Sequence, residues 1–359
     1  MTTAHINRIG TAVPPHDIHV PFIAFARTLL ADAKPRAVFD RMAERSGIAH
    51  RFSVLRPGNI EAGEVDTDGF YSRQHFPGTS ARMALYEPEA LNLALRAVAA
   101  LDIAHELHRI THLIVASCTG FTAPGLDLQL GERLGLRADL SRTLIGFMGC
   151  SAAVPALRLA QQAVRSDPAA RVLVVNLELC SLHLQETDEI ETVLSFLLFG
   201  DGCAAALVTA DDTGIALTDF RNAVIPNSQD LITWQIGDQG FRMFLSGKVP
   251  GRIAGALRDE AFRNDDGGLL RGGGIEAFDL WAVHGGGRTV LDAVEVGLGL
   301  DAAALRHSRA VLHDYGNMSS ATVMFVLNRM MAERSPGKVG FAMAFGPGMV
   351  AETFRFRLV

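Results

Sequence analysis

Three residues of types that serve acyl transfer stand in this chain at points where secondary structure should change. Cys150 lies in Gly146-Phe147-Met148-Gly149-Cys150-Ser151-Ala152-Ala153, where an apolar strand-like run, Thr143 to Phe147, gives way to a helix-like run, Ala152 to Val164. A cysteine in the first turn of a helix meets unpaired backbone N–H groups and the positive end of the helix dipole, and both favour thiolate. Gly149, Ser151, Ala152 and Ala153 leave the backbone uncrowded, so a bulky thioester carbonyl could approach the sulfur. His284 ends an apolar run from Asp279, and Asn317 follows Tyr315-Gly316 ahead of a helical stretch from Ser320. An imidazole can hold a thiolate as an ion pair, and the imidazole and carboxamide N–H groups can donate to an oxygen that becomes negative. The same two donors would stabilise the enolate left when a malonyl thioester loses CO2, the step that opens a Claisen condensation. Each residue also has a plainer reading: a buried core cysteine, a core histidine bonded to a neighbour, and a turn asparagine before a helix.

The elements that would carry these groups are legible as periodicities. Short apolar or β-branched runs predict strands at His112 to Ser117, Thr143 to Phe147, Arg171 to Leu177, Ala204 to Thr209, Asp279 to Val283, Ala310 to His313 and Gly340 to Phe345. Amphipathic stretches predict helices at Glu87 to Leu101, Leu126 to Leu134, Ala152 to Val164, Thr289 to Leu298 and Ser320 to Glu333. Such alternation implies parallel strands with helices on both faces. The pattern also repeats. Leu113 to Gly120, a helix ending in Gly135-Leu136, and Leu144 to Cys150 have a later counterpart in Leu280 to Gly287, a helix ending in Gly299-Leu300, and Val311 to Asn317. Gly149-Cys150 and Gly316-Asn317 are then structural equivalents, and a pseudo-twofold arrangement would bring both helix starts to one crevice, with His284 arriving from a strand end.

Composition excludes several classes. A chain of 359 residues exceeds one ordinary core, so two lobes are expected, 1–215 carrying Cys150 and 216–359 carrying His284 and Asn317. A net charge of −6 with scattered Lys and Arg gives no stripe for nucleic acid and no polybasic membrane patch. Cys118, Cys150, Cys180 and Cys203 form no C-x-x-C pair and have no His at metal spacing, so neither disulfides nor a metal site are expected. The first fifteen residues lack a signal-peptide pattern and no apolar run reaches spanning length, which predicts a cytoplasmic protein.

Five motifs together resemble the type III polyketide synthases, the chalcone synthase family: Met148-Gly-Cys-Ser-Ala, Ala282-Val-His-Gly-Gly, Tyr315-Gly-Asn-Met-Ser-Ser320, Phe199-Gly-Asp-Gly202 and Phe345-Gly-Pro-Gly348. The resemblance covers nearly the whole chain. It implies a thiolase-like duplicated αβαβα layered fold with mixed, mainly parallel sheets, and a homodimer that acts on free CoA thioesters without cofactor, metal or carrier protein. It implies that Cys150 carries the starter and growing chain, that His284 and Asn317 form the decarboxylation and oxyanion pair, and that Phe199 is an aromatic gatekeeper. Cys118, Thr119, Cys180, His183, Ser195, Phe345, Gly346, Pro347 and Gly348 fall at cavity positions, with His183 read as a hydrogen-bonded wall residue rather than a second acid or base. Arg41 and Arg45, four apart on a helical face, match basic positions for CoA phosphates, though a solvated helix face would read the same. Acyl-CoA starter and malonyl-CoA are the implied substrates, and a pyrone or phenolic ring the product.

The departures from the family pattern are specific. Gly285 replaces the usual proline after His284, which should loosen that loop. Ala123 stands where plant members place a methionine that enters the partner's cavity. The segment Glu178 to Gln185 is similar to bacterial members, including those that make alkylpyrones. Three alternatives use the same residues. A ketoacyl synthase III-type enzyme would need a carrier protein and condense once, a silent acyl-CoA-binding paralogue would bind without releasing CO2, and a papain-like protease would place its cysteine near the mature N-terminus.

Overall fold

The computed structural model describes residues 2–259, 262, 268–270 and 274–359. In chain order the strands are β1 (Ala4–Ala12), β2 (His16–Asp17), β3 (Phe52–Ser53), β4 (His112–Ala116), β5 (Ser141–Ile145), β6 (Val172–Leu179), β7 (Asp201–Thr209), β8 (Ile215–Val224), β9 (Ile232–Gly237), β10 (Gly240–Leu245), β11 (Leu280–Val283), β12 (Val339–Gly346) and β13 (Val350–Leu358). The helices are α1 (His19–Leu29), α2 (Ala33–Arg45), α3 (Thr79–Ala99), α4 (Leu126–Arg133), α5 (Ala153–Ser166), α6 (Ile190–Phe196), α7 (Val249–Arg258), α8 (Arg288–Leu298), α9 (Arg306–Tyr315) and α10 (Thr322–Ala332).

Nine strands form one sheet in the order β11-β12-β13-β8-β1-β7-β6-β4-β5. The sheet is mixed. Its parallel pairs, β4 with β5, β4 with β6 and β11 with β12, lie toward its two ends. The five pairs between them are antiparallel, a balance that the alternation of strands and helices did not foretell. Part of the reason is local: the short turn Pro347–Met349 between β12 and β13 returns the chain antiparallel to itself.

Side-chain alternation divides this sheet into layers. β6 reads Val-Leu-Val-Val-Asn-Leu-Glu-Leu and is buried throughout, as a strand covered on both faces must be. Leu173, Val175 and Leu177 face a core shared with Leu93 of α3 and Leu130 of α4. Val172 and Val174 face the opposite core, which holds Leu157 of α5 and Val323 of α10. From the other half of the sheet Ala342 and Ala344 of β12 reach that same central core, while Phe341 and Met343 pack toward Ile253 of α7 and Leu291 of α8. The layers therefore run helix, sheet, central helix pair, sheet, helix, the expected αβαβα order.

The two central helices begin alike. Gly149 at φ 59° opens the 3-10 turn Gly149–Ser151 before α5, and Gly316 at φ 68° lies just ahead of the 3-10 turn Ser319–Ala321 before α10. One element differs from expectation: residues 310–313 lie inside α9 and form no strand. Its buried positions, His307, Ser308, Val311 and Leu312, follow a helical spacing, which a four-residue apolar run is too short to reveal. Strand β5 also ends at Ile145, two residues early, because Phe147 adopts φ 54° and turns the chain into the Cys150 elbow.

Leu157 is fully buried between the two halves of the sheet, whereas Leu159 on the same helix is 37% exposed. Leu157→Ala should cost about 2–5 kcal/mol of stability and Leu159→Ala under about 0.5 kcal/mol. Denaturant unfolding measures both, and equal costs would contradict the central position of α5.

Candidate active site

Cys150, His284 and Asn317 line one narrow, mainly apolar cavity where the two halves meet. Cys150 sits in the 3-10 turn ahead of α5, and close packing explains its small neighbours. A Cβ on Gly149 would fall within the Pro347 ring, and one on Gly346 would strike Ser151 Oγ and Met148 O. The Phe345-Gly-Pro-Gly turn is thus seated directly against the Cys150 elbow. Gly149 N donates to Cys118 Sγ at 3.0 Å, fixing the elbow from its other side.

His284 follows β11, its backbone N donating to Met343 O at 2.8 Å. The residue is 1% exposed, and neither ring nitrogen has a hydrogen-bond partner among the described residues. Burial pushes its pKa down to about 3, so the resting ring is neutral. An unpartnered buried imidazole is unusual and points into a site awaiting a ligand.

Asn317 is held from several directions. Its N donates to Leu198 O at 2.8 Å and its O accepts from Gly200 N at 3.0 Å, which clasps it to the Phe199 turn. Its Oδ1 accepts from Ser319 N at 2.8 Å and its Nδ2 donates to Gly286 O at 3.2 Å. The amide is thereby aimed, with its second N–H bonded to no oxygen and facing the Cys150 thiol.

The thiol departs from expectation. Burial pushes the Cys150 pKa up to about 11, with the Glu178 carboxylate adding to the rise and the Ser319 and Asn317 side chains opposing it. Burial outweighs the hydrogen bonds that favour the thiolate, and it favours the neutral form of both Cys150 and His284.

Most cavity positions drawn from the sequence meet here. Phe199, Cys118, Thr119 and Cys180 line the cavity, as do Phe345, Gly346 and Pro347. Burial holds the Cys118 and Cys180 thiols well above the ordinary range, so they are poor rivals to Cys150. Three positions do not reach it. His183 is a strut: Nε2 donates to Thr119 O at 2.7 Å, Nδ1 accepts from Phe241 N at 2.9 Å, and the ring stacks on Phe241. Gly348, at φ 73°, closes the turn between β12 and β13. Ser195 borders instead an outer cleft of about 620 Å³, which shares Leu245, Val249, Gly286 and Val290 with the inner cavity. Arg45 and Arg288 line this cleft; Arg41 is exposed and does not.

Four contributors were not singled out from the sequence. Trp234 and Met243 of the β9–β10 hairpin form the cavity's far wall, and Trp234 Nε1 donates to Cys118 O at 2.7 Å. Ser319 lines the cavity beside Cys150. Glu178, fully buried, accepts from Cys118 N and Thr119 Oγ1 at 2.9 Å and from Ser320 Oγ at 2.6 Å. Burial raises its pKa to about 7. A glutamate inside a strand apolar but for it and Asn176 was a visible signal for it.

Fold and cavity together define the class, an acyl-transferring condensing enzyme of the α/β type. Residues 2–212 match the family model for the N-terminal domain of chalcone and stilbene synthases, and residues 217–359 the model for their C-terminal domain. The chain belongs to this family, the type III polyketide synthases, and the ketoacyl synthase alternative falls away. It is 35% identical to the alpha-pyrone synthesis polyketide synthase-like Pks18 of Mycobacterium tuberculosis, over all of this chain and 92% of that protein. It is 33% identical to bisdemethoxycurcumin synthase of Oryza sativa, over 97% of this chain and 91% of that protein. Among solved structures, the polyketide synthase PKS-I of the brown alga Ectocarpus siliculosus superposes with TM-score 0.87 at 30% identity, covering 100% of this chain and 99% of that one. The C-terminal type III polyketide synthase domain of Steely1 from Dictyostelium gives TM-score 0.88 at 27% identity, covering 99% of each chain.

A thiol raised to about 11 makes a prediction. In the substrate-free enzyme, alkylation of Cys150 by iodoacetamide should rise roughly tenfold per pH unit between about pH 7 and 10, tracking the thiolate fraction. A rate already level at pH 7 would mean that the helix end, not burial, governs the thiol.

Proposed function

We propose that Cys150, His284 and Asn317 carry out iterative decarboxylative condensation of malonyl-CoA onto an acyl starter. The sulfur attacks the starter thioester, its proton passes to the neutral His284 ring, and CoA leaves as the thiol. Malonyl-CoA then loses CO2, and the enolate oxygen is held by an N–H of His284 and the second N–H of Asn317. The enolate carbon attacks the acyl–Cys150 carbonyl, frees the sulfur, and the lengthened chain returns to it for another round. The observation that carries this reading is the buried imidazole with both nitrogens unpartnered among the described residues, in one cavity with the thiol and an amide whose second N–H faces that thiol. CoA thioesters would enter through the cleft bordered by Arg45 and Arg288, whose charges suit phosphates.

Cys150→Ala should abolish polyketide formation, and product persisting in that variant sinks the assignment. Asn317→Ala should slow malonyl-CoA decarboxylation roughly 10²- to 10³-fold, the loss typical of one oxyanion donor, while leaving Cys150 alkylation intact. Parallel loss of both activities would assign Asn317 to folding.

For the substrate class, a medium or long fatty acyl starter and a pyrone product fit best. The pyrone is supported by the whole-chain similarity to a protein described by alpha-pyrone synthesis, and the fatty starter by the resemblance of the segment Glu178 to Gln185 to bacterial members that make alkylpyrones. Mass spectrometry of products from malonyl-CoA and a panel of acyl-CoAs decides this, and an exclusive preference for aromatic starters refutes it.

The same reading makes the protein a cytoplasmic homodimer that needs no cofactor. Among the described residues no helix is long and apolar enough to cross a membrane. β5 ends the sheet with one edge unpaired, and Leu144 on it and Met148 just beyond are 39% and 37% exposed. A second copy would cover that edge. Leu144→Asp should shift the protein toward monomer in light scattering.

A further inference from the structure

Arg51 is among the largest fully buried side chains, 1% exposed, and belongs to none of the motifs above. It lies just before β3, where Ile18 N donates to its carbonyl at 2.7 Å. Its Nη1 donates to two carbonyls, Phe196 O and Phe199 O, both at 2.7 Å. Its Nε donates to His19 Nδ1 at 3.0 Å, and the guanidinium lies 4.6 Å from the centre of the Phe22 ring. Burial, with the Arg51 charge adding to it, pulls the His19 pKa down to about 4, which keeps that ring neutral and able to accept.

The stem of the side chain is as informative as its head. A Cβ on Gly200 would lie 3.4 Å from Arg51 Cβ, and one on Gly316 would lie 2.7 Å from Arg51 Cγ. Arg51 therefore threads between the glycine after Phe199 and the glycine before Asn317. Those two turns are already clasped by the bonds of Asn317 to Leu198 O and Gly200 N. One guanidinium thus holds the two carbonyls of the Phe199 turn while its stem sets how close that turn comes to Asn317.

We propose that Arg51 is a positioning residue that fixes the spacing of Phe199 and Asn317, and through it the donor geometry at the malonyl carbonyl and the width of the passage to Cys150. This rests on the reading of Asn317 as an enolate donor. A buried charge whose side-chain hydrogen bonds go to main-chain oxygens and a neutral imidazole is costly to maintain, even with the Asp17 and Asp201 carboxylates offsetting part of the cost. Two bonds from a charged donor to one turn restrain it more firmly than neutral bonds would.

Arg51→Lys keeps the charge and loses the planar fork. Loss of a charged hydrogen bond predicts a fall of about tenfold or more in malonyl-CoA decarboxylation, with Cys150 alkylation at pH 9 unchanged within about twofold. The double variant with Asn317→Ala should decarboxylate no more slowly than Asn317→Ala alone, because effects that run through one group do not add. Decarboxylation at the wild-type rate, multiplying losses, or alkylation falling in proportion would each overturn the proposal. If Arg51→Lys does not fold, Gly200→Ala sets a methyl 3.1 Å from Tyr315 O, beside the Arg51 stem, so it wedges the same two turns apart and should lower decarboxylation in the same direction; no change overturns it. Should Asn317→Ala decarboxylate normally, it is the role of Asn317 that fails. Arg51 is then judged on the starter panel, where Arg51→Lys shifts the preferred acyl length if it positions Phe199 and leaves it unchanged if it does not.

Discussion

Two backbone hydrogen bonds, Asn317 N to Leu198 O and Gly200 N to Asn317 O, hold together residues nearly 120 positions apart in the chain. Main-chain pairing demands that the two segments approach to strand distance, and glycine permits this with the Arg51 stem between them. The same constraint recurs at the elbow, where Gly149 and Gly346 let the Pro347 turn lie against Cys150. Cys150, His284 and Asn317 come from separate places, the turn before α5, the residue after β11 and the turn before α10. They meet because the loops that carry them have no side chains at the points of contact.

Burial sets the electrostatic character of what meets there. The desolvation that forms a closed cavity raises the thiol, lowers the imidazole and lifts Glu178 toward neutrality. A resting site of this kind stores little charge separation, and charge develops only when a substrate does. Donors already fixed in place then meet a negative oxygen in a medium with little competing water. Glu178 shows how the surrounding shell is kept rigid: one carboxyl joins the 118–119 loop to Ser320, just beyond Asn317.

Much of this was readable before folding. Periodicity placed β4, β6, β7, β11 and β12 and the central helices, because long amphipathic runs and doubly buried strands leave a strong pattern. It failed at α9, where an apolar run of a few residues fits either element and only the packing of His307, Ser308, Val311 and Leu312 distinguishes them. The motifs located the thiol, imidazole and amide, since their chemistry restricts residue type. They did not locate Trp234, Met243 or Arg51, which are ordinary residue types in segments without periodicity. They read His183 rightly as hydrogen-bonded, its two nitrogens being spent on Thr119 and Phe241, but set it on the cavity wall, which it does not reach.

The sequence by itself determined the reacting groups, the layered α/β architecture and the family, because residue identity and the order of hydrophobic runs are properties of the chain alone. Only the tertiary structure decided the burial that holds Cys150 toward its neutral form, the unpartnered nitrogens of His284, the aim of the Asn317 amide and the Trp234 and Met243 wall of the cavity. Those depend on desolvation and on distances between segments far apart in sequence, and neither quantity exists until the two halves of the sheet close on their shared core.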